Sequence, residues 1–240
     1  LQDRRTSSRG RRPHRARQQG PAEGTLSRDG DRDGAFGRPW NGVVGGAISL
    51  GMNLRQPSLF EDLAPGPPGF VYRSEVIGPD EEGALAQALG RLDLRAFEMR
   101  GYAARRRVAY FGRRYEESTQ GLEDGPPIPD FLQPLRQQAA GFAGLRPEAL
   151  VHALINEYPP GAPIGWHRDR PAFGQVVGFS LLSPCVMRFR RRREAGWERR
   201  SLTLEPRSAY WLAGEARSVW EHSIPPVEAL RYSITFRTLA

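Results

Sequence analysis

The sequence predicts an α+β fold in which two helices precede a β-rich core. The apolar residues at helical spacing lie before residue 149, for example Leu85, Ala88, Leu89 and Leu92. After residue 149 the chain consists of short alternating segments separated by turn residues. Short strands of this kind are typical of a sandwich or a jelly roll, so we expect a jelly-roll core.

The individual elements follow from local signals. Pro79-Asp80 marks the start of the first helix, and Asp130 is expected to cap the second, whose apolar face carries Phe131, Leu135, Ala139 and Phe142. Residues 105–115 are basic and aromatic and predict a strand or hairpin between the helices. The strands predicted for the core are 150–158, 175–182, 185–190, 200–204, 208–213 and 231–237.

Residues 1–51 have a different composition from the rest of the chain. They are rich in Arg, Gly and Ser, lack a sustained apolar period and are predicted to be disordered. Because Met52 follows, we expect this leader to be an upstream translation artefact; a basic nucleic-acid-binding tail is the alternative. Residues 52–69 are predicted to be a flexible segment, and 70–240 one domain.

Charge alone does not establish a nucleic-acid partner. All 35 basic residues are Arg, which suits forked phosphate contacts but is also what a GC-rich genome would encode. Of the net charge of +8, the leader holds +5, so the domain is only mildly basic. The single cysteine, Cys185, excludes an internal disulfide. Without a signal peptide or a membrane-spanning apolar run, the chain is predicted to be a cytoplasmic monomer with no membrane contact.

A short motif lies between the leader and the domain. Gln56-Pro57-Ser58-Leu59-Phe60 resembles the Gln-x-x-Leu-Phe peptides that dock on bacterial sliding clamps. Packing of Leu59 and Phe60 on the domain is the alternative.

Three residues form a candidate metal site. His167 and Asp169 are two residues apart, so on an extended chain their side chains point to the same side. Two His and one carboxylate are the facial triad of non-haem iron(II) oxygenases, which leaves coordination positions open. The chain has four His: His14 lies in the leader and His152 is expected to be an out-facing strand residue, so His222 is the natural third ligand.

The last predicted strand presents two arginines on one face. Arg231, Ser233, Thr235 and Arg237 alternate with apolar residues, and the two Arg Cα atoms should lie about 20 Å apart. This spacing suits one Arg on the distal carboxylate of a dianion and the other beside the metal, paired with Asp169 or with the proximal carboxylate. Asn156 and Tyr158 share a strand face and can donate hydrogen bonds to the same anion.

Taken together, these residues resemble the AlkB family of iron(II)- and 2-oxoglutarate-dependent dioxygenases. The resemblance runs from about residue 70 to the C-terminus. Its carriers are Asn156-Glu157-Tyr158, Pro159-Pro160-Gly161, His167-Arg168-Asp169, Gly214-Glu215-Ala216-Arg217, Trp220-Glu221-His222 and the closing Arg-Tyr-x-x-Thr-Phe-Arg from Arg231 to Arg237.

This resemblance implies a double-stranded β-helix (jelly-roll) core with a nucleotide-recognition lid. It implies iron(II) on His167, Asp169 and His222, and 2-oxoglutarate on Asn156, Tyr158, Arg231, Ser233 and Arg237, with Arg231 on the distal carboxylate. The implied reaction is oxidative demethylation of N-alkylated bases in DNA or RNA. It consumes O2 and 2-oxoglutarate and releases succinate, CO2 and formaldehyde.

The substrate is less well defined than the cofactors. The family's bacterial prototype has a second acidic residue two places after its ligand Asp, where this chain has Pro171. Candidate substrate contacts are Phe97, Arg107, Phe111, Tyr115 and Arg193. Two alternatives stay open: an oxygenase of the same fold acting on protein or a small molecule, and a non-catalytic nucleic-acid-binding module.

Overall fold

The computed structural model describes residues 66–99, 102–116 and 121–240. The leader over 1–51 and the motif at 56–60 therefore lie outside the described residues, as does most of the segment 52–69. The last four residues of that segment are held in place, since Ala213 N donates to Gly69 O at 2.9 Å and Arg200 Nη1 donates to Gly66 O at 2.7 Å. The ordered domain thus begins before residue 70.

The described residues form two β-sheets. The larger, which we call the major sheet, has the strand order β1-β10-β7-β12-β5-β3-β2, with β4 paired to β3; the minor sheet has the order β6-β11-β8-β9. The strands of the major sheet are β1 Phe70–Arg73, β2 Arg95–Met99, β3 Tyr102–Glu116, β4 Gly121–Asp124, β5 His152–Tyr158, β7 Phe173–Leu181, β10 Ser208–Leu212 and β12 Arg231–Leu239. Those of the minor sheet are β6 Ile164–His167, β8 Cys185–Arg193, β9 Gly196–Leu204 and β11 Glu221–Ile224.

Two helices cover one face of the major sheet. Helix α1 spans Pro79–Leu89, and α2 spans Gln133–Ala143 after a 3-10 turn at Asp130–Leu132. Their buried leucines pack with Ile155, Phe179, Ile234 and Phe236 in one apolar cluster. This arrangement buries the apolar side of β12, so that its arginines point to the opposite side, away from the helices.

A second apolar cluster fills part of the space between the two sheets. It joins Tyr158 and Tyr210 of the major sheet to Met187 and Phe189 of the minor sheet. Two sheets packed face to face with mixed strand connections form the predicted jelly roll, and the α+β class is confirmed. The short helix α3, Gly214–Ser218, connects β10 to β11.

The long strand β3 leaves the sheet where Gly112 interrupts its regular pairing. Gly112 has φ 73°, and a Cβ at this position would lie 2.1 Å from the carbonyl oxygen of Val151, so only glycine fits here. Beyond Gly112, β3 pairs with β4 from Arg113 to Glu116. The strands β2, β3 and β4 form the extension that we call the lid.

The predicted elements agree with the structure in kind and differ in detail. Residues 105–115 belong to one strand, and Asp130 begins a 3-10 turn without a side-chain capping bond. The short strands β1, β2, β4, β6 and β11 are not among the predicted strands. The expectation that His152 faces outward is wrong: only 2% of the residue is exposed, because β5 lies inside the sheet between β12 and β3 and both of its faces are covered.

Among the described helices, none is both long enough and apolar enough to cross a membrane.

Candidate metal and cosubstrate site

The two histidines of the predicted triad lie side by side in the minor sheet. His167 on β6 is the register partner of His222 on β11, and their ring centroids are 4.3 Å apart. Asp169 follows β6 by two residues, and one ligand atom from each of the three side chains lies within 4.8 Å of the others. The Nδ1 atom of His167 is 2.9 Å from Gly165 O, so that nitrogen is the donor and Nε2 remains for a metal.

The electrostatics of the triad suit a divalent cation. Arg237 Nη2 donates to Asp169 Oδ1 at 3.2 Å. Burial raises the pKa of Asp169, but the charge of Arg237 and the two neighbouring imidazoles outweigh burial and hold that pKa well below its usual range. Burial lowers the pKa of His222 to about 3. A neutral imidazole and an ionised carboxylate are the states that metal ligation requires.

The other end of β12 holds a buried cation that fits a carboxylate. Arg231 is fully buried, and its Nε donates to Ser180 Oγ at 3.0 Å. Within the described residues, neither of its terminal nitrogens has a hydrogen-bond partner. Since an unpaired buried guanidinium is costly, these nitrogens fit the carboxylate of an anionic ligand. Tyr158 and Ser233, both predicted cosubstrate residues, lie beside it: the Tyr158 ring centroid is 5.0 Å from the guanidinium carbon, and Ser233 shares the inner face of β12.

A cleft of about 1900 Å³ runs from the triad to the lid. Its lid side includes Arg106, whose Nη1 donates to Asn156 Oδ1 at 2.6 Å and whose guanidinium carbon lies 3.8 Å from the Phe97 ring centroid. Tyr115 also lines the cleft, with the Arg170 guanidinium carbon 4.8 Å from its ring centroid. The lid thus places aromatic and basic groups across the cleft from the triad.

The loop after Asp169 is held by a residue for which sequence reasoning assigned no role. Arg217 on α3 donates to the carbonyl oxygens of Arg170, Phe173 and Gly174, at 2.7 Å for the first and the last. These bonds fix the chain that follows the metal-ligating carboxylate. Sequence alone offered no signal beyond the position of Arg217 in the Gly-Glu-Ala-Arg stretch, because the acceptors are backbone atoms.

The predicted substrate contacts divide into two groups. Phe97 and Tyr115 line the cleft. Arg107 pairs with Glu157 at 2.7 Å, and Phe111 packs against the apolar cluster between the helices and the major sheet, so both lie on the face of β3 opposite the cleft. Arg193 bonds to Glu198 at the β8–β9 turn. The geometry gives no support for a substrate role of these three residues. Arg106 and Tyr110 face the cleft from the same strand instead.

The fold and the site define an oxygenase of the iron(II) facial-triad class. The family model of the 2OG-Fe(II) oxygenase superfamily, where 2OG is 2-oxoglutarate, matches residues 93–237. The chain belongs to this superfamily. Its cofactor is iron(II) and its cosubstrates are 2-oxoglutarate and O2.

Named relatives narrow the resemblance to the AlkB branch. The chain is 30% identical over 146 residues to the alkylated DNA repair protein ALKBH8 homolog of Arabidopsis thaliana, which covers 51% of this chain and 42% of that protein. It is 33% identical over 129 residues to the α-ketoglutarate-dependent dioxygenase AlkB of Salmonella typhimurium. This match covers 48% of this chain and 57% of that protein. Thus the chain spans about half the length of these two relatives.

Two further comparisons extend over more of the chain. The uncharacterized protein L905 of Acanthamoeba polyphaga mimivirus is 28% identical over 188 residues, which is 71% of this chain and 85% of that protein. The solved structure of OsALKBH1 superposes with a TM-score of 0.53 at 17% identity, covering 72% of this chain and 99% of that one. The structural match supports the fold alone.

Proposed function

We propose that this chain is an oxidative demethylase of N-alkylated bases in nucleic acid. One observation carries the proposal: a single cleft joins a His-His-Asp triad to a lid that presents Phe97, Arg106, Tyr110 and Tyr115. A base that leaves its stack requires an aromatic or guanidinium surface to lie against, and the flanking phosphates require cations. Similarity to proteins named for alkylated-DNA repair supports the same substrate class.

The residues of the chain divide the task between the two ends of β12. We assign iron(II) to His167, Asp169 and His222, and 2-oxoglutarate to Asn156, Tyr158, Arg231, Ser233 and Arg237. Arg231 binds the distal carboxylate through its two free nitrogens, and Arg237 keeps Asp169 ionised and oriented. When bound, the iron and 2-oxoglutarate together supply oxidation of the N-methyl carbon with O2, and the hydroxylated product releases formaldehyde.

The lining of the cleft differs from that of the family's bacterial prototype at a position near the metal ligands. Pro171 lines the cleft, where the family's bacterial prototype has an acidic residue. Apart from the triad residue Asp169, the acidic side chains among the described residues that line the cleft are Glu116 and Glu221. Base recognition therefore uses a different set of groups, and DNA and RNA are both candidate substrates. A sliding-clamp contact through residues 56–60, a monomeric state and a cytoplasmic location remain predictions.

The proposal is tested by incubating the full chain with iron(II), ascorbate, 2-oxoglutarate and methylated DNA or RNA oligonucleotides. Mass spectrometry should show loss of methyl groups together with succinate formation, and His167→Ala should show neither. Succinate formation without loss of methyl from any oligonucleotide would reject the demethylase and leave an oxygenase acting on protein or a small molecule. Absence of both metal binding and succinate formation would leave the non-catalytic nucleic-acid-binding module.

A further inference from the structure

The outer surface of the minor sheet carries a row of stacked cationic and aromatic side chains. Arg190 lies between two indoles, its guanidinium carbon 4.5 Å from the Trp166 ring centroid and 4.3 Å from that of Trp197. Arg188 also lies over Trp166, at 5.2 Å, and Arg192 over Trp197, at 5.6 Å. We call this surface the outer minor-sheet face; it consists of Trp166, Arg188, Arg190, Arg192, Trp197 and Arg199.

Strand alternation places these six side chains on one side. Residues 188, 190 and 192 alternate on β8 with Phe189 and Arg191, and the register pairs Arg190 with Arg199 and Arg192 with Trp197. Phe189 is fully buried in the cluster between the sheets, so the six side chains point outward. The arginines on β8 therefore recur about every 7 Å.

The charge of this face is unbalanced. Glu221 is the acidic register partner of Arg190 and accepts from its Nε at 2.6 Å. In the described part of the chain, no carboxylate lies within salt-bridge distance of Arg188, Arg192 or Arg199. The pair of Arg190 with Glu221 thus fixes the two indoles, while the other arginines remain available for a polyanion.

The face is continuous with the cleft. Trp166 precedes the triad residue His167 on β6, and both Trp166 and Glu221 contribute to the cleft lining. A chain that leaves the cleft past Trp166 therefore comes directly onto the row of arginines. Indoles with interleaved guanidinium groups are the surface that proteins use for single-stranded nucleic acid, since bases stack on the rings and phosphates pair with the cations.

We propose that the outer minor-sheet face binds the single strand that flanks the base held in the cleft. This inference rests on the proposed function for the identity of the substrate, but binding to the face is a separate property that needs neither iron nor a methyl group. Arg188, Arg192 and Arg199 contact phosphates, and Trp166 and Trp197 stack on bases. The lid and this face then hold the strand on opposite sides of the cleft.

The experiment compares two double variants of equal charge change. Arg192→Gln/Arg199→Gln removes two exposed cations of the face. Arg91→Gln/Arg146→Gln is the matched control, because both residues are exposed and each follows one of the two helices that cover the other side of the major sheet. The affinity of each full-length protein for an unmethylated single-stranded oligonucleotide is measured by fluorescence anisotropy over a range of salt concentrations.

The face variant should bind roughly tenfold more weakly at about 0.2 M salt, and the slope of log K against log salt should fall by about 1.4, the value for two phosphate contacts on a single strand. The control should bind like the wild type. Equal binding by the two double variants would overturn the proposal. Full displacement of the oligonucleotide by polyglutamate at equal charge concentration would also overturn it, in favour of an acidic protein partner.

A second measurement separates stacking from charge. Trp197→Leu removes an indole without altering charge, and it should weaken oligonucleotide binding several-fold while leaving the salt slope unchanged. An unchanged affinity would remove stacking from the proposal. Circular dichroism melting of each variant monitors folding. Because these measurements use unmethylated strands without iron, failure of demethylation and failure of this binding surface are distinguishable.

Discussion

Arg231 shows how the site depends on a single buried side chain. Its terminal nitrogens are buried without a partner in the described structure, so it costs stability until an anion binds. The hydrogen bond to Ser180 fixes one edge of the guanidinium and leaves the other edge for a carboxylate. Arg231 therefore serves the cosubstrate rather than the fold.

Replacing Arg231 by Met should separate these two contributions. We expect a melting temperature equal to or above that of the wild type, because a buried unpaired charge is removed, together with loss of the stabilisation that 2-oxoglutarate gives in the presence of Mn(II). Differential scanning fluorimetry measures both effects. Arg231→Lys, which keeps the charge without the planar fork, should retain a weak response to 2-oxoglutarate. A full response in Arg231→Met would show that the distal carboxylate binds elsewhere.

Neighbouring arginines of β3 point to opposite faces of the sheet because side chains alternate along a strand. Arg106 faces the cleft and bonds to Asn156, whereas Arg107 faces the other side and bonds to Glu157, which also accepts from the Tyr232 hydroxyl at 3.0 Å. Sequence reasoning could predict a basic strand here but not which arginine faces the cleft. The register of β3 against β5, which pairs Arg107 with Glu157, is set by long-range packing.

Substitution of these neighbours should therefore give opposite results. Arg107→Gln should lower the free energy of unfolding by about 1 kcal/mol, because the buried Glu157 carboxylate loses a charged partner whose own side chain is 52% exposed. It should have little effect on the KM for an oligonucleotide. Arg106→Gln should raise the KM for the oligonucleotide or for 2-oxoglutarate with a smaller loss of stability. Urea unfolding and steady-state kinetics of the pair provide the measurements. The reverse pattern would place Arg107, as the sequence suggested, at the substrate.

The inner strand β5 explains a second limit of sequence reasoning. Alternation distinguishes a buried face from a solvated one, but both faces of β5 are covered. The helices cover one face, and the other faces the interior between the two sheets. His152 is therefore buried, with its Nδ1 atom 2.5 Å from Arg113 O. Burial, together with the nearby charge of Arg237, lowers the pKa of His152 to about 3.

This shift predicts a dependence of stability on pH. In the unfolded chain His152 takes up a proton below its ordinary pKa of 6.5, whereas the folded protein excludes the proton down to about pH 3. The contribution of His152 is therefore fully present above pH 6.5 and is lost as the pH falls towards 3. Between pH 7.5 and pH 5.0 it should remove about 2 kcal/mol from the free energy of unfolding.

The matched variant is His152→Asn, whose amide can still donate to Arg113 O but does not titrate. Urea unfolding at the two pH values should show a smaller pH dependence in this variant than in the wild type. Equal dependence in both proteins would mean that His152 is not excluded from protonation in the folded state. The remaining dependence is expected to include His222, whose pKa burial also lowers to about 3.

Across the whole molecule, local sequence and long-range packing determine different parts of the site. The triad could be predicted from the His-x-Asp spacing and the small number of histidines, and the β12 arginines from alternation within one strand. The outer minor-sheet face could not, since Trp166, Arg190 and Trp197 come from three strands that the fold brings together. The short strands β6 and β11 have four residues each, too few for a periodic signal.

The residues of the metal and cosubstrate site come from both sheets, so we expect ligand binding to stabilise the folded protein. His167 and His222 belong to the minor sheet, whereas Arg231 and Arg237 belong to the major sheet. A ligand that binds only the folded protein at 100 times its Kd stabilises it by about 2.7 kcal/mol. Mn(II) should therefore raise the melting temperature of the wild type, and 2-oxoglutarate should raise it further when Mn(II) is present.

Two variants test whether these two effects arise at opposite ends of one site. His222→Ala should lose the shift caused by Mn(II), because a triad without one imidazole binds the metal weakly. Arg231→Met should keep the shift caused by Mn(II) and lose the one caused by 2-oxoglutarate, since its triad is intact. Retention of the Mn(II) shift in His222→Ala would exclude His222 as a ligand. Loss of both shifts in Arg231→Met would mean that Arg231 supports the metal end, and the division of labour along β12 would then be wrong.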